Sequence, residues 1–185
     1  MISIRANEAA AQALGLPFMV AADLSHPDPG DLGAALTAAG LARDDFGGLF
    51  VPAVSFKVPD FAELTYRESQ RNCWHLEDDD PAIKVDIDDE GTPHIDLNDQ
   101  IRMLRRGIVL SRIVHDLAAG LPDHPPLRCI TATNDTNGTF RFHQIRPGEQ
   151  WHADDLDGYL EDMLIVIDQQ PPTNPARPRK AAHTS

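Results

Sequence analysis

The chain has 185 residues, of which 42% are hydrophobic and 24% are charged. That length fits one ordinary domain, and this composition excludes a chain that is disordered throughout. All 29 Asp and Glu lie at or before Asp168, and three of the 16 Lys and Arg follow it. Residues 1–168 therefore contain 13 Lys and Arg and 29 Asp and Glu, which gives them a formal charge of −16. Such a field disfavours nucleic acid and anionic membranes and speeds association with basic partners, although acidity also serves solubility alone.

The ends and the cysteines of the chain point to a cytoplasmic location. No run approaches the roughly 18 apolar residues of a membrane helix, and the start MISIRANEAAAQALGLPF lacks a basic region followed by an apolar stretch. Cys73 and Cys129 belong to no C-x-x-C pair and to no zinc spacing, which favours reduced thiols. We predict no metal and no cofactor.

The first half of the sequence predicts short elements. Residues 6–14, ANEAAAQAL, are strong helix formers that end at Gly15. A second short helix is expected from Asp31, with Leu32 and Leu36 on one face. The apolar residues of 49–56 predict a strand that Pro52 confines to an edge or a bulge. Within 57–81, which is otherwise unassigned, residues 60–71 admit a helix.

The second half has clearer periodicity. Residues 82–88 alternate apolar and polar side chains and, with the turn at 88–91, predict a hairpin over 82–97 with one wet face. A long helix is expected over 99–119, capped by Asn98 or Asp96. A second hairpin is predicted over 128–145, and a last helix from about Asp155 to Ile167.

The order of these elements determines the predicted fold class. Strands that come in hairpins, rather than singly between helices, favour an α+β fold with a mainly antiparallel sheet built from hairpins (82–97, 128–145) and helices packed on one face. We expect one domain over 1–168. The Pro-rich, basic residues 169–185 are expected to be a disordered tail.

The second hairpin suggests a catalytic hypothesis. A five-residue loop at 134–138 would place Cys129 opposite His143, with Arg141 on the same polar face. Directly opposed residues have Cβ atoms roughly 4.5–5.5 Å apart, close enough for a thiolate–imidazolium pair that activates a cysteine. Arg141 could then bind an anionic substrate. The alternatives are an ordinary solvated face and a binding face.

An acidic cluster precedes the long helix and offers a second candidate surface. Its members are Glu77, Asp78, Asp79, Asp80, Asp86, Asp88, Asp89 and Glu90. The cluster lacks the alternating ligands, central glycine and closing Glu of a calcium loop. It is either a solvated loop and strand face or a docking surface for a basic protein.

No other motif indicates chemistry. The phosphate-loop, dinucleotide, nucleophile-elbow and H-E-x-x-H patterns are absent. His115 lacks a helical partner at i±4, where Ser111 and Ala119 stand, and is interpreted as a helix-surface or boundary residue. We therefore expect a non-catalytic acidic protein that docks a basic protein partner, as an inhibitor, an immunity factor or a chaperone-like accessory. The alternative is a small cysteine-dependent enzyme that uses the Cys129/His143 pair; the sequence leaves the partner and the oligomeric state open.

Overall fold

The computed structural model describes residues 1–16, 28–52 and 63–170. The helices of this part are α1 (Glu8–Leu14), α2 (Gly30–Ala39), α3 (Leu64–Arg71) and α4 (Leu97–Ala119). Its strands are β1 (Ile2–Ala6), β2 (Ala42–Arg43), β3 (Leu49–Phe50), β4 (Cys73–His75), β5 (Asp86–Ile87), β6 (Pro93–His94), β7 (Leu127–Thr133), β8 (Gly138–Gln144) and β9 (Met163–Gln169).

A five-stranded antiparallel sheet with the order β1-β9-β7-β8-β4 forms the centre of the protein. The strand pairs β2/β3 and β5/β6 form two small sheets of their own. The α+β class with a mainly antiparallel sheet is therefore confirmed. The last strand, β9, lies between the first strand and β7, so Ile167 pairs with Ile4 on one side and with Cys129 on the other.

Helices cover one face of this sheet. Helix α4 packs on β7 and β9, α1 packs on β9, and α2 packs on α4. Every second residue of β7, including Leu127 and Cys129, is buried in the core beneath α4. The opposite face is covered by the irregular segment 145–162, which places Leu156 against Ile130 and Val166. Both faces of β7 and β9 therefore carry buried apolar side chains.

The long helix forms where its stripe of apolar residues predicted it. Helix α4 begins at Leu97, two residues before the expected start, and Asp96 rather than Asn98 is the cap, accepting the N–H of Asp99 at 3.0 Å. Its buried stripe includes Leu104, Leu110 and Val114. Burial of each such side chain contributes about 1.5–3 kcal/mol, which explains why a helix with four arginines is stable here.

The predicted last helix is wrong, because residues 163–169 form β9 instead. The helical stripe required Leu160 to be buried, but it is 89% exposed. The run from Met163 to Ile167 is buried at every position, as in a strand that is covered on both faces. Strand β1 was not predicted either; it pairs with β9 along its whole length.

The other predicted elements are confirmed in shorter form. Helices form over Glu8–Leu14, Gly30–Ala39 and Leu64–Arg71, and a strand forms over Leu49–Phe50. Positions 53–62 and the tail from 171 lie outside the described residues. The expected end of the domain, after Asp168, falls inside β9. The first hairpin is present but reduced to two pairs, and Ile87, expected on the buried face of its first strand, is 62% exposed.

Candidate partner-binding surface

The predicted register of the second hairpin is wrong by one residue. Gly138 is not part of the loop but the first residue of β8, paired with Thr133, so the loop has the four residues 134–137. The side-chain oxygen of Asn134 closes this loop by accepting the N–H groups of Thr136 and Asn137, both at 2.9 Å. The polarity pattern did not reveal the slip because both faces of the sheet are covered.

The slip separates the predicted catalytic residues. Cys129 pairs with Phe142 and faces α4, whereas His143 pairs with Arg128 and faces the other way. His143 is buried, and its Nδ1 donates to the carbonyl oxygen of Gln144 at 2.9 Å. Arg141 lies on the same face as His143, with its guanidinium 5.2 Å from the centre of the Trp151 ring. The structure therefore does not bring Cys129 and His143 together.

The histidine that does contact Cys129 is His115 of α4, with 3.6 Å between Nε2 and Sγ. Both side chains are buried. Burial raises the pKa of the Cys129 thiol, and burial lowers the pKa of His115 to about 4, so at neutral pH the two groups are a thiol and a neutral imidazole. The expectation of a helix-surface or boundary position for His115 is wrong. Its spacing of seven from Ile108 and eleven from Leu104, which belong to the apolar stripe of the helix, was the signal.

The acidic cluster divides into two parts, of which the first is tied to the fold. Asp79 and Asp80 both contact the buried guanidinium of Arg106, at 2.7 and 3.1 Å. Asp79 also accepts the N–H of Leu32 at 2.9 Å, and Glu77 accepts that of Gly138 at 2.9 Å. Carboxylates that accept such bonds hold α2, α4 and β8 in place, and are less available to a partner.

These same aspartates line a cavity of about 580 Å³ between α2 and α4. Gly30 and Pro81 line it together with four carboxylates and two guanidinium groups: Asp28, Asp31, Asp79, Asp80, Arg102 and Arg106. Burial raises the pKa of Asp79, and the adjacent Arg106 opposes that shift. Gly30 lies so close to Arg106 that a Cβ on it would overlap the guanidinium, so this corner has no room for a side chain.

The second part of the acidic cluster projects on a hairpin, residues 84–94, which we call the acidic arm. The arm is attached at its base by the N–H of Lys84, which donates to Asp99 at 3.0 Å, and by the buried Ile83 and Ile95 that flank it. Asp88 shapes the tip by accepting the N–H groups of Thr92 at 2.8 Å and Glu90 at 2.9 Å. The Thr92 bond is the main reason that the pKa of Asp88 is lowered.

The surface of the arm combines free charge with exposed aliphatic side chains. Asp86, Asp89 and Glu90 are exposed and form no ion pair with a described residue. Among them, Val85 is 40% and Ile87 is 62% exposed, and Leu97 at the start of α4 is 60% exposed. Charged side chains around exposed aliphatic groups are typical of the rim and centre of a protein-binding surface.

Neither a metal-ligating cluster nor a membrane-spanning helix is found in the described part of the chain. There, no three His, Cys, Asp or Glu side chains converge in a way that could hold a metal ion. None of the described helices has the length and apolar character needed to cross a membrane. No protein-family profile, no curated protein and no solved structure shows a significant match to this chain.

Proposed function

We propose that this chain is a non-catalytic acidic protein that binds a basic protein partner, in the manner of an inhibitor, an immunity factor or a chaperone-like accessory. The observation that carries the proposal is the acidic arm. Its carboxylates Asp86, Asp89 and Glu90 are unpaired within the described residues, and they lie on the same hairpin as the exposed Ile87.

A basic partner would first be attracted by the negative charge of the protein and would then bury the apolar side chains of this arm. The formal charge of −16 up to Asp168 accelerates the encounter with a cationic surface and orients it. Val85, Ile87 and Leu97 then offer apolar area whose removal from water contributes about 25 cal/mol per Å². Among the described strands, β5 and β6 of this hairpin pair only with each other, so its conformation can follow the shape of a partner.

The cysteine-dependent alternative receives no supporting observation. Cys129 is buried, burial raises its pKa, and the imidazole beside it belongs to His115 rather than to His143. A nucleophilic cysteine requires an accessible thiolate, which these features disfavour. We therefore do not propose catalysis at this position.

The proposal is tested by capture from a lysate of the source cell with matched charge variants. The arm variant carries Asp86→Asn, Asp89→Asn and Glu90→Gln; the control carries Asp45→Asn, Asp154→Asn and Glu161→Gln, three exposed carboxylates elsewhere. Both variants lose the same charge. We expect the wild type and the control to retain a basic protein at low ionic strength, and high ionic strength to release it. The arm variant should retain roughly tenfold less of that protein. Equal losses in the two variants, or captured proteins without a basic surface, would contradict the proposal.

A further inference from the structure

The main sheet ends at β4, and this strand has an unpaired edge within the described residues. The N–H of Phe142 donates to Asn72 and the N–H of Leu76 donates to Gly138, at 3.2 and 2.9 Å. In antiparallel pairing the direction of these bonds alternates along the strand. The N–H and C=O groups of Cys73 and His75 therefore point away from β8, and no described residue bonds to them.

A groove of about 480 Å³ runs beside this edge, between β4 and α2. Its apolar wall consists of Leu32 and Ala35 of α2 and the ring of Trp74. Trp74 is held in place because it stacks on Phe140 and Phe142, at 6.2 and 6.1 Å between ring centres. A rigid wall of this kind costs little conformational entropy when a ligand binds.

Carboxylates stand along the same groove. Asp31, Asp78 and Asp79 line it, and Asp31 and Asp78 are exposed and form no ion pair with a described residue. Asp31 and Asp79 also line the acidic cavity beside Arg106, so the groove and that cavity share a wall. The groove thus offers an apolar surface next to negative charge.

We infer that an extended basic segment of the partner binds as a sixth strand along β4, with a Lys or Arg side chain in this groove. The inference rests on the proposed function and specifies how the partner is recognised. The segment would bond to the outward backbone groups of Cys73 and His75. Because side chains of a strand alternate between faces, only every second residue enters the groove. Its aliphatic stem packs on Leu32, Ala35 and Trp74, and its cation meets Asp31 and Asp78.

Amide hydrogen exchange of the free protein gives the first test. We expect the N–H groups of Cys73 and His75 to exchange rapidly, whereas that of Leu76, which bonds to Gly138 across β8, exchanges slowly. Protection of both Cys73 and His75 in the free protein would overturn the inference, because the edge would then already be paired.

Designed peptides give the second test. The probe is a blocked peptide that alternates Lys with Val or Thr, and its binding is followed by fluorescence anisotropy and by protection of the His75 amide. N-methylation removes the backbone donors of every second residue, so methylating one alternate set should abolish binding while methylating the other set should preserve it. A peptide with Glu in place of Lys should not bind. If the two methylated peptides bind equally well, the backbone takes no part and strand addition is wrong.

Variants of two exposed alanines separate this inference from the proposed function. Ala35→Trp fills the groove, and Ala38→Trp, one turn further along α2, does not line it. We expect Ala35→Trp to weaken peptide binding and partner capture roughly tenfold, and Ala38→Trp to leave both unchanged. If the arm variant loses capture of the basic protein and Ala35→Trp does not, the proposed function is supported and strand addition is wrong. Peptide binding without capture of any basic protein would contradict the proposed function alone.

Discussion

The carboxylate of Glu68 and the guanidinium of Arg146 form a two-pronged ion pair, with oxygen–nitrogen distances of 2.6 and 2.9 Å. The same carboxylate accepts the N–H groups of Leu49 at 2.6 Å and Gln144 at 2.7 Å. Glu68 is fully buried. One side chain of α3 thus joins β3, the end of β8 and the segment that covers the second face of the sheet.

Replacement of Glu68 should destabilise the fold strongly. Glu68→Gln leaves the half-buried Arg146 without the carboxylate of the fully buried Glu68, and we expect the free energy of unfolding to fall by about 3–5 kcal/mol in urea titration. The double variant Glu68→Gln/Arg146→Met should recover part of that loss, because it removes the uncompensated charge. The control is Asp123→Asn, which breaks the exposed ion pair with Arg43 and should cost about 1 kcal/mol or less. A similar cost for both carboxylates would contradict this account of Glu68.

The buried His115 predicts a defined dependence of stability on pH. Burial lowers its folded-state pKa to about 4, below its ordinary 6.5. Between these values the unfolded chain binds a proton that the folded chain does not, so the free energy of unfolding falls as the pH falls through this window, by up to about 3 kcal/mol. His115→Leu should remove this component, and the exposed His124→Asn should retain it. The measurement is the urea midpoint of unfolding as a function of pH, between about pH 7.5 and pH 4.5. If His115→Leu and the wild type show the same pH dependence, His115 contributes nothing to it.

Thiol labelling should distinguish the two cysteines. Cys129 is buried and burial raises its pKa; Cys73 is partly exposed, and although burial raises its pKa too, Arg141 opposes the shift. We expect iodoacetamide to label Cys129 at least roughly a hundredfold more slowly than Cys73 in the native protein, as measured by mass spectrometry. His143→Ala should leave both rates unchanged. Rapid labelling of Cys129 that His143→Ala abolishes would instead restore the predicted catalytic pair.

Helix α4 lies close against β7 at Gly107. A Cβ there would lie 2.0 Å from Oγ1 and 2.5 Å from Cγ2 of Thr131. Alanine favours a helix over glycine by about 1 kcal/mol, yet we expect Gly107→Ala to destabilise the protein by about 1–3 kcal/mol because the helix must move away from the sheet. Thr131→Ala removes the two closest contacts, so the double variant should be more stable than Gly107→Ala alone. A net stabilisation by Gly107→Ala in thermal unfolding would contradict this packing.

The elements that could be predicted from the sequence are those with one buried face and one exposed face, because their apolar and polar residues alternate with a clear period. Helix α4 has such a face, and its apolar stripe located it to within two residues. Strand β9 does not, since Leu164 and Val166 are buried on one face and Ile165 and Ile167 on the other. A continuous apolar run is compatible with a helix or a strand until something shows what covers it.

Only the residue composition of the candidate site could be predicted from the sequence, and not the contacts of its side chains. The carboxylates from Glu77 to Glu90 are evident in the sequence, but their partners are distant in it, as with Asp80 and Arg102 or Asp79 and Leu32. Which carboxylates are tied to the fold, and which remain free on the acidic arm, depends on those tertiary contacts. The pairing of Cys129 and His143 failed for a related reason: a shift of one residue reverses every side chain of a strand.

The position of β9 between β1 and β7 also determines the order in which the protein can assemble. During synthesis the first strand has no partner in the main sheet until residues 163–169 emerge, because all of its pairing is with β9. A nascent chain that ends near residue 160 lacks β9, so the edge of β7 has no partner and β1 cannot join the main sheet. Completion of the sheet needs contacts that span almost the whole described chain, and such contacts make folding slow and leave apolar strand edges exposed while it proceeds.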